Sequence, residues 1–283
     1  MTDNTQLTTI TENFNLDNII FTDVIKCELK AKGRGPPIKY QRIPIKVKND
    51  DGTIGDFIVP TSKLFSFGVS ENRDPKTDER TGYTLPLCMW NRDGASKEEK
   101  EWTDTFDKIV EKCKDHLIDN RKSIQKHDLE RSDLKKFNPM YWKKDKDTGL
   151  PVEGYGPTLY PKLIESKKTG DILSMLFDGE DRLNATEIIG KRCNVEACVK
   201  FESIFIGSRI SLQIKLYEAD IKLTNSGMKR LRKPRPKTVI TEEVEEVEDT
   251  KDDDSDEIID ESESEEEVVP IKKKRITRPR KKK

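Results

Sequence analysis

No run of this sequence approaches the ~20 apolar residues that a membrane-spanning helix needs. The opening stretch MTDNTQLTTITENF has no apolar core, so no secretory signal peptide is expected. Histidine is nearly absent. The two present, His116 and His127, would share one side of a continuous helix, and they read as solvated helix residues rather than a catalytic pair. Cysteine is sparse, odd in number and scattered: Cys27, Cys88, Cys113, Cys193 and Cys198. Zinc takes about four ligands, and Cys193 with Cys198 has no second Cys/His pair to complete a set. Reduced core thiols in an intracellular protein are the expectation. The chain also lacks a nucleophile elbow, a P-loop, and a GxGxxG after a strand. Asp178 and Asp181, in FDGEDRLN, read as an ordinary polar turn. A non-enzymatic protein without a cofactor, a metal or a membrane partner is therefore expected.

What the chain has in abundance is charge, and the charge is segregated. Of 283 residues, 38% are charged and 33% hydrophobic, yet the formal net charge is only −1. Residues 238–269 carry 17 acids against the single base Lys251, and residues 270–283 carry nine bases and no acid. Another six bases crowd into Lys229–Lys237, KRLRKPRPK. Such segments hold too little apolar surface to offset chain entropy. The expected organisation is a flexible arm over 1–15, a folded domain over 16–227, a basic linker over 228–237, a disordered acidic segment over 238–269 and a basic tail over 270–283. The body is close to neutral, so a nucleic-acid surface on it would have to be a local patch.

Within 16–227 the pattern is mainly β with one long helix. Alternating apolar runs at 19–25, 38–47, 57–59, 64–69 and 83–90 predict strands, with a register change near Pro44. Ser96 and Glu99 form a capping box before the stripe Trp102, Phe106, Ile109, Cys113 and Leu117, which predicts a helix over 96–126. A shorter helix is expected over 129–137, and strands over 158–164 and 172–177. The longest pair, 195–206 and 210–223, is joined by Gly207-Ser208. An OB-fold-like Greek-key barrel fits this order. The alternative is an α+β sheet with a covering helix.

Two segments point to nucleic acid. Residues 26–48 hold Lys26, Lys30, Lys32, Arg34, Lys39, Arg42, Lys46 and Lys48 against one acid, Glu28. On a hairpin these would track a phosphate backbone, with Tyr40 as a stacking ring; otherwise they form a charged edge that resists aggregation. The segment FNPMYWKKDKDTGLPVEGYGPTLYPK interleaves Tyr141, Trp142, Tyr155 and Tyr160 with Lys143, Lys144 and Lys162. Rings so placed stack on bases of any sequence, or else anchor the loop to the core.

The aromatic segment ending YGPTLYPKL, the stretch ACVKFESIFIGSRISLQIKLYEADI and the charged tail together resemble the single-stranded-DNA-binding proteins of nucleocytoplasmic large DNA viruses. The resemblance covers residues 15–225. It implies an OB-fold like that of phage proteins with acidic tails, and a role coating replication or repair intermediates. It also implies a cytoplasmic viral factory, a nucleus or the virion as location, and replication proteins as partners of the acidic tail. The chain departs from the phage-like pattern by ending on a basic block. The competing expectation is a structural or interaction protein, of the virion or of chromatin, acting through its charged tail.

Overall fold

The computed structural model describes residues 4–29, 37–75, 77–90 and 94–224. The chain divides into two units, Met1–Lys229 and Arg230–Lys283. The linker, acidic segment and basic tail expected beyond residue 227 lie outside the described residues.

The strands before the helix are β1 (Ile19–Phe21), β2 (Ile25–Leu29), β3 (Ile38–Lys48), β4 (Ile54–Asp56), β5 (Ile58–Ser66), β6 (Ser70–Arg73), β7 (Arg80–Thr84) and β8 (Leu87–Cys88). Helix α1 spans Lys97–Asp119. After it come β9 (Met140–Tyr141), β10 (Thr158–Leu159), β11 (Lys162–Leu163), β12 (Met175–Asp178) and β13 (Asp181–Arg182). The long antiparallel pair β14 (Cys193–Ile206) and β15 (Ile210–Leu223) comes last.

The described residues are mostly β, a curled open sheet with one α-helix. Its centre is the β14–β15 hairpin, 14 residues in each strand. The main path through the sheet runs β6-β7-β11-β15-β14-β5-β8-β10-β9. The free edge of β14 is shared. Its first half, from Cys193 to Lys200, pairs with β5, and Ser203–Ile206 pair with β3. The curl follows from that handover. A register shift between Glu196 and Cys198 faces Pro60, which has no N–H to donate. There the Ala197 N–H donates instead to Thr61 Oγ1, 3.0 Å away.

The predicted helix forms, and its capping box is complete. Glu99 N–H donates to Ser96 Oγ at 3.1 Å, and Ser96 N–H donates to Glu99 Oε2 at 2.8 Å. Phe106, Ile109, Val110, Cys113 and Leu117 bury against the sheet, and burial pushes the Cys113 thiol up to about 12. The Trp102 indole stays half-buried and donates to the Pro60 carbonyl at 3.0 Å. A run of rings crosses the core from sheet to helix: Phe57 on Phe201 at 4.6 Å, Phe201 on Phe106 at 5.1 Å, and Phe106 on Trp102 at 5.3 Å.

Three expectations change. Residues 4–15 do not form a free arm. Thr8 N–H donates to the Ile58 carbonyl at 2.8 Å, Thr105 Oγ1 donates to the Thr11 carbonyl at 3.1 Å, and Phe14 extends the ring run onto Phe57 at 5.8 Å. Only Leu7, Ile10 and Phe14 are large apolar residues there, so the polar composition hides a segment anchored by Ile10 and Phe14. The helix ends at Asp119 rather than 126, because Asn120 caps it, donating from its backbone N–H (3.1 Å) and from Nδ2 (2.9 Å) to the His116 carbonyl. The helix expected over 129–137 shrinks to one 3-10 turn, Arg131–Leu134. There Arg131 turns back to Glu111 and Asp115 of α1, and Leu134 and Phe137 are buried. His127 therefore does not share a helix with His116.

Candidate nucleic-acid interface

Strand alternation decides what the basic hairpin presents. The pairs Lys26↔Gln41 and Glu28↔Lys39 put these four residues on one face. The pairs Cys27↔Tyr40 and Ile25↔Arg42 put Tyr40 and Arg42 on the other. Lys26 and Lys39 thus alternate with Tyr40 between the two faces of the hairpin, and all three line one cleft. The Tyr40 ring leans on Phe205 at 5.2 Å. Gly207 leaves room for that phenylalanine, since a Cβ there would lie 2.8 Å from its ring. Burial, then the Cys27 side chain, raises the Tyr40 phenol above its ordinary range. Arg42 is exposed. Lys46 is bound, with Lys200, to the enclosed carboxylate of Asp56. Burial opposes ionisation of that carboxylate, but the two ammonium groups outweigh burial and hold it below the usual range. Lys30, Lys32 and Arg34 lie outside the described residues.

The four rings of the second segment also divide. Trp142 is half-buried and packs edge-on against Trp90 at 5.7 Å. Gly156 permits this arrangement, since a Cβ there would stand 2.6 Å from the Trp90 ring. Lys143 lies 4.8 Å over the half-buried Tyr155 ring, a cation–π contact. Lys144 is exposed. Tyr141 and Tyr160 face solvent, 60% and 46% exposed.

Those two tyrosines join a row that sequence reasoning missed. Directly paired positions across a sheet share a face. Asn194↔Lys222, Asn194↔Phe65, Phe65↔Cys88, Cys88↔Thr158 and Thr158↔Tyr141 are such pairs, so one line crosses six strands. At ~4.8 Å between strands it is ~24 Å long. Leu64, Ser66, Leu87, Leu159 and Met140, the alternate positions, are buried. Phe67 is 52% exposed and meets Phe65 edge-on at 5.1 Å. Part-burial, then the neighbouring Cys88 and Tyr141, raises the Tyr160 phenol, which places all three together. The signal was the stretch LFSFG, in which Ser66 is buried and both phenylalanines face outward. Only the strand register reveals that reversal.

The basic hairpin and the ring row are not one site. The row meets β14 at Asn194, and the hairpin meets it at Ser203–Ile206. Twelve residues of strand separate Asn194 from Ile206, roughly 40 Å at ~3.3 Å per residue.

A family model described as protein of unknown function (DUF2738) matches residues 24–260. The chain is 27% identical over 181 residues to "Uncharacterized protein 007R" of Invertebrate iridescent virus 3, covering 61% of this chain and 36% of that protein. It is 28% identical over 195 residues to "Early 31 kDa protein" of Frog virus 3 (isolate Goorha), covering 65% of this chain and 73% of that protein. The match thus spans about a third of the first relative and three quarters of the second. Among the described residues no helix is long and apolar enough to cross a membrane.

Proposed function

Since the chain belongs to the DUF2738 family, whose description names no activity, its role is read from its surface, and we propose that it binds single-stranded nucleic acid without sequence preference and without catalysis. In this reading it coats strands exposed during viral replication or repair, in a viral factory, nucleus or virion. The acidic segment is then free to recruit replication proteins.

The observation that carries the reading is the outward row Phe65, Tyr141 and Tyr160, with Phe67 beside it. Phe67, Tyr141 and Tyr160 turn to water, with Phe65 half-buried among them, on a sheet whose other face holds the core, and exposed rings so grouped are an anomaly in search of a ligand. Every base has a π-face, so stacking on such rings is tolerant of sequence and contributes ~1–3 kcal/mol per base. Lys63 lies two residues from Phe65 on the same face, and Lys222 ends the row; both are exposed and supply local positive charge. A curled sheet that presents its strand face to a single strand is also how OB-folds bind, which supports the finer OB-like reading. A duplex hides its base faces and would gain nothing from the rings.

The test is a titration of the full chain with a labelled oligo-dT and a duplex of equal length, at ~150 mM salt, where purely ionic binding is weak. Single strands are expected to bind at least tenfold more tightly. A joint Phe65→Ser and Tyr141→Ser variant should lose that preference while staying folded. Equal affinity for duplex, or an unchanged preference in the variant, sinks the proposal and makes the row a protein-docking face.

A further inference from the structure

Six cations that the ring row does not use gather at the far end of the β14–β15 hairpin. One cleft, about 580 Å³, opens between Lys26 and Lys39 of the β2–β3 hairpin and Gln125 and Lys126 after the helix. A second, about 970 Å³, runs from Lys126 past Lys135 and Lys136 and along Arg209 in the β14–β15 turn. Both are lined by Gln125, Lys126 and Gly207, so they form one groove around the turn. Against Lys26, Lys39, Lys126, Lys135, Lys136 and Arg209 stand three acids, Glu28, Asp128 and Asp133.

What sets the groove apart from an ordinary charged face is its concave shape, which brings the six cations to one wall. Among the described residues, Lys46, Arg73, Lys112, Lys114, Arg131 and Lys200 are held in ion pairs, while Lys63, Lys97 and Lys144, like the groove cations, are exposed and in none. None of the six groove cations is in one, and all six are exposed. Like charges left unpaired in a concave wall repel each other, and the low-dielectric walls focus their field on whatever enters. The backbone is also committed to the shape. Gln125, shared by both clefts, sits at φ +59°, a left-handed conformation that residues with a side chain rarely adopt. It is held there because Ile124 is fully buried and the Lys126 N–H donates to the Arg121 carbonyl at 2.9 Å. Strain of this kind collects at ligand sites.

We infer that this groove is a second nucleic-acid site, which grips the sugar–phosphate backbone by charge and does not touch the bases. Tyr40 lines its first cleft, but that ring leans on Phe205, and the imidazole of His127 is the one exposed ring among the residues lining the two clefts. The inference rests on the reading that the protein handles single strands, but it assigns different residues and a different chemistry.

The experiment uses the full chain and two probes of about a dozen nucleotides, oligo-dT and an abasic deoxyribose-phosphate strand. The variant carries Lys126→Glu, Lys136→Glu and Arg209→Glu. The wild type should bind the abasic strand, more weakly as salt rises. The variant should bind it at least tenfold more weakly, with a log–log salt slope lower by about 2, at ~0.7 per lost contact. Melting curves check folding, and glutamines at the same three positions replace the charge reversals if these lower the melting temperature. A wild type that binds oligo-dT but not the abasic strand overturns the groove and leaves the ring row intact. Abasic binding lost in the variant, with oligo-dT binding indifferent to the ring substitutions, upholds the groove and removes the ring row. Polyglutamate of equal charge that competes as well as the abasic strand makes this an acidic-protein site and overturns the inference.

Discussion

Tyr141 ends β9 with its ring in solvent, and Trp142, just past the strand, packs against Trp90. Their substitutions should therefore separate. Tyr141→Ser should lower single-strand affinity by ~1–3 kcal/mol with little change in melting temperature, since it removes an exposed stacking surface. Trp142→Ala should destabilise the fold by ~1–3 kcal/mol, below the ~3–5 kcal/mol of a fully buried tryptophan, because its ring is half-exposed beside Trp90. Its folded fraction should bind normally. Affinity measurements alongside thermal melts check both, and a Trp142 variant that melts normally but binds weakly would restore Trp142 to the interface. Tyr141 and Tyr160 were legible because aromatic and basic residues alternate so densely around them. Phe65 and Phe67 were not, because an apolar strand has two faces and composition does not say which faces inward. Burial of the small Ser66, beside the inward-facing Cys193, settles it, and that contact is 127 residues distant in sequence.

At the scale of elements, whatever rests on local chemistry was readable. The Ser96–Glu99 box, the apolar stripe of α1 and the β14–β15 hairpin follow from spacing alone. What failed depended mostly on distant partners, the docked residues 4–15 and the collapse of the second helix to one turn; the early stop at Asn120 is the local exception, a cap on the His116 carbonyl four residues back. His116 shows the same limit. It reads as a solvated helix residue, yet its ring stacks on Phe21 at 4.0 Å. The helix C-terminus favours a cation there, but burial dominates and lowers the pKa below 6.5, with Asp119 opposing. Asn120 Nδ2, a donor, lies 3.2 Å from Nδ1, which fits a neutral ring with its lone pair at Nδ1. A base whose folded pKa is depressed takes up its proton more readily when unfolded. Its contribution is therefore complete above 6.5 and is lost as pH falls below that value toward the folded pKa. The wild-type melting temperature should drop between about pH 7 and pH 5, and His116→Phe, which keeps the stack, should flatten part of that drop. An unchanged slope would mean that the imidazole is already charged in the fold.

For the whole molecule, the long central hairpin sets the geometry of function. It carries the ring row near one end and the groove at the other, roughly 40 Å apart along β14 at ~3.3 Å per residue. Both clusters were partly visible in the chain as Tyr141, Tyr160, Lys26 and Lys39, but their separation was not, because it depends on which half of β14 each neighbouring strand joins. Two sites of different chemistry on one rigid element have a consequence that neither has alone. Lys26 and Lys39 share the face of Gln41, which pairs with the buried Ile206, so they lie on the sheet side opposite the rings. A strand stacked at ~3.4 Å per nucleotide needs at least about 12 nucleotides to reach from one site to the other. Shorter strands engage one site at a time. Longer strands make the second contact intramolecularly, at an effective concentration that reaches the mM range when the linking length suits the span. Affinity measured against oligo-dT length should therefore rise gently, step up at least tenfold on passing about a dozen nucleotides, and level off. The groove substitutions should abolish the step while leaving short-strand binding on the rings, and the ring substitutions should leave a salt-sensitive residue of binding with no step. A smooth rise through all lengths in the wild type would mean that no single strand spans both sites.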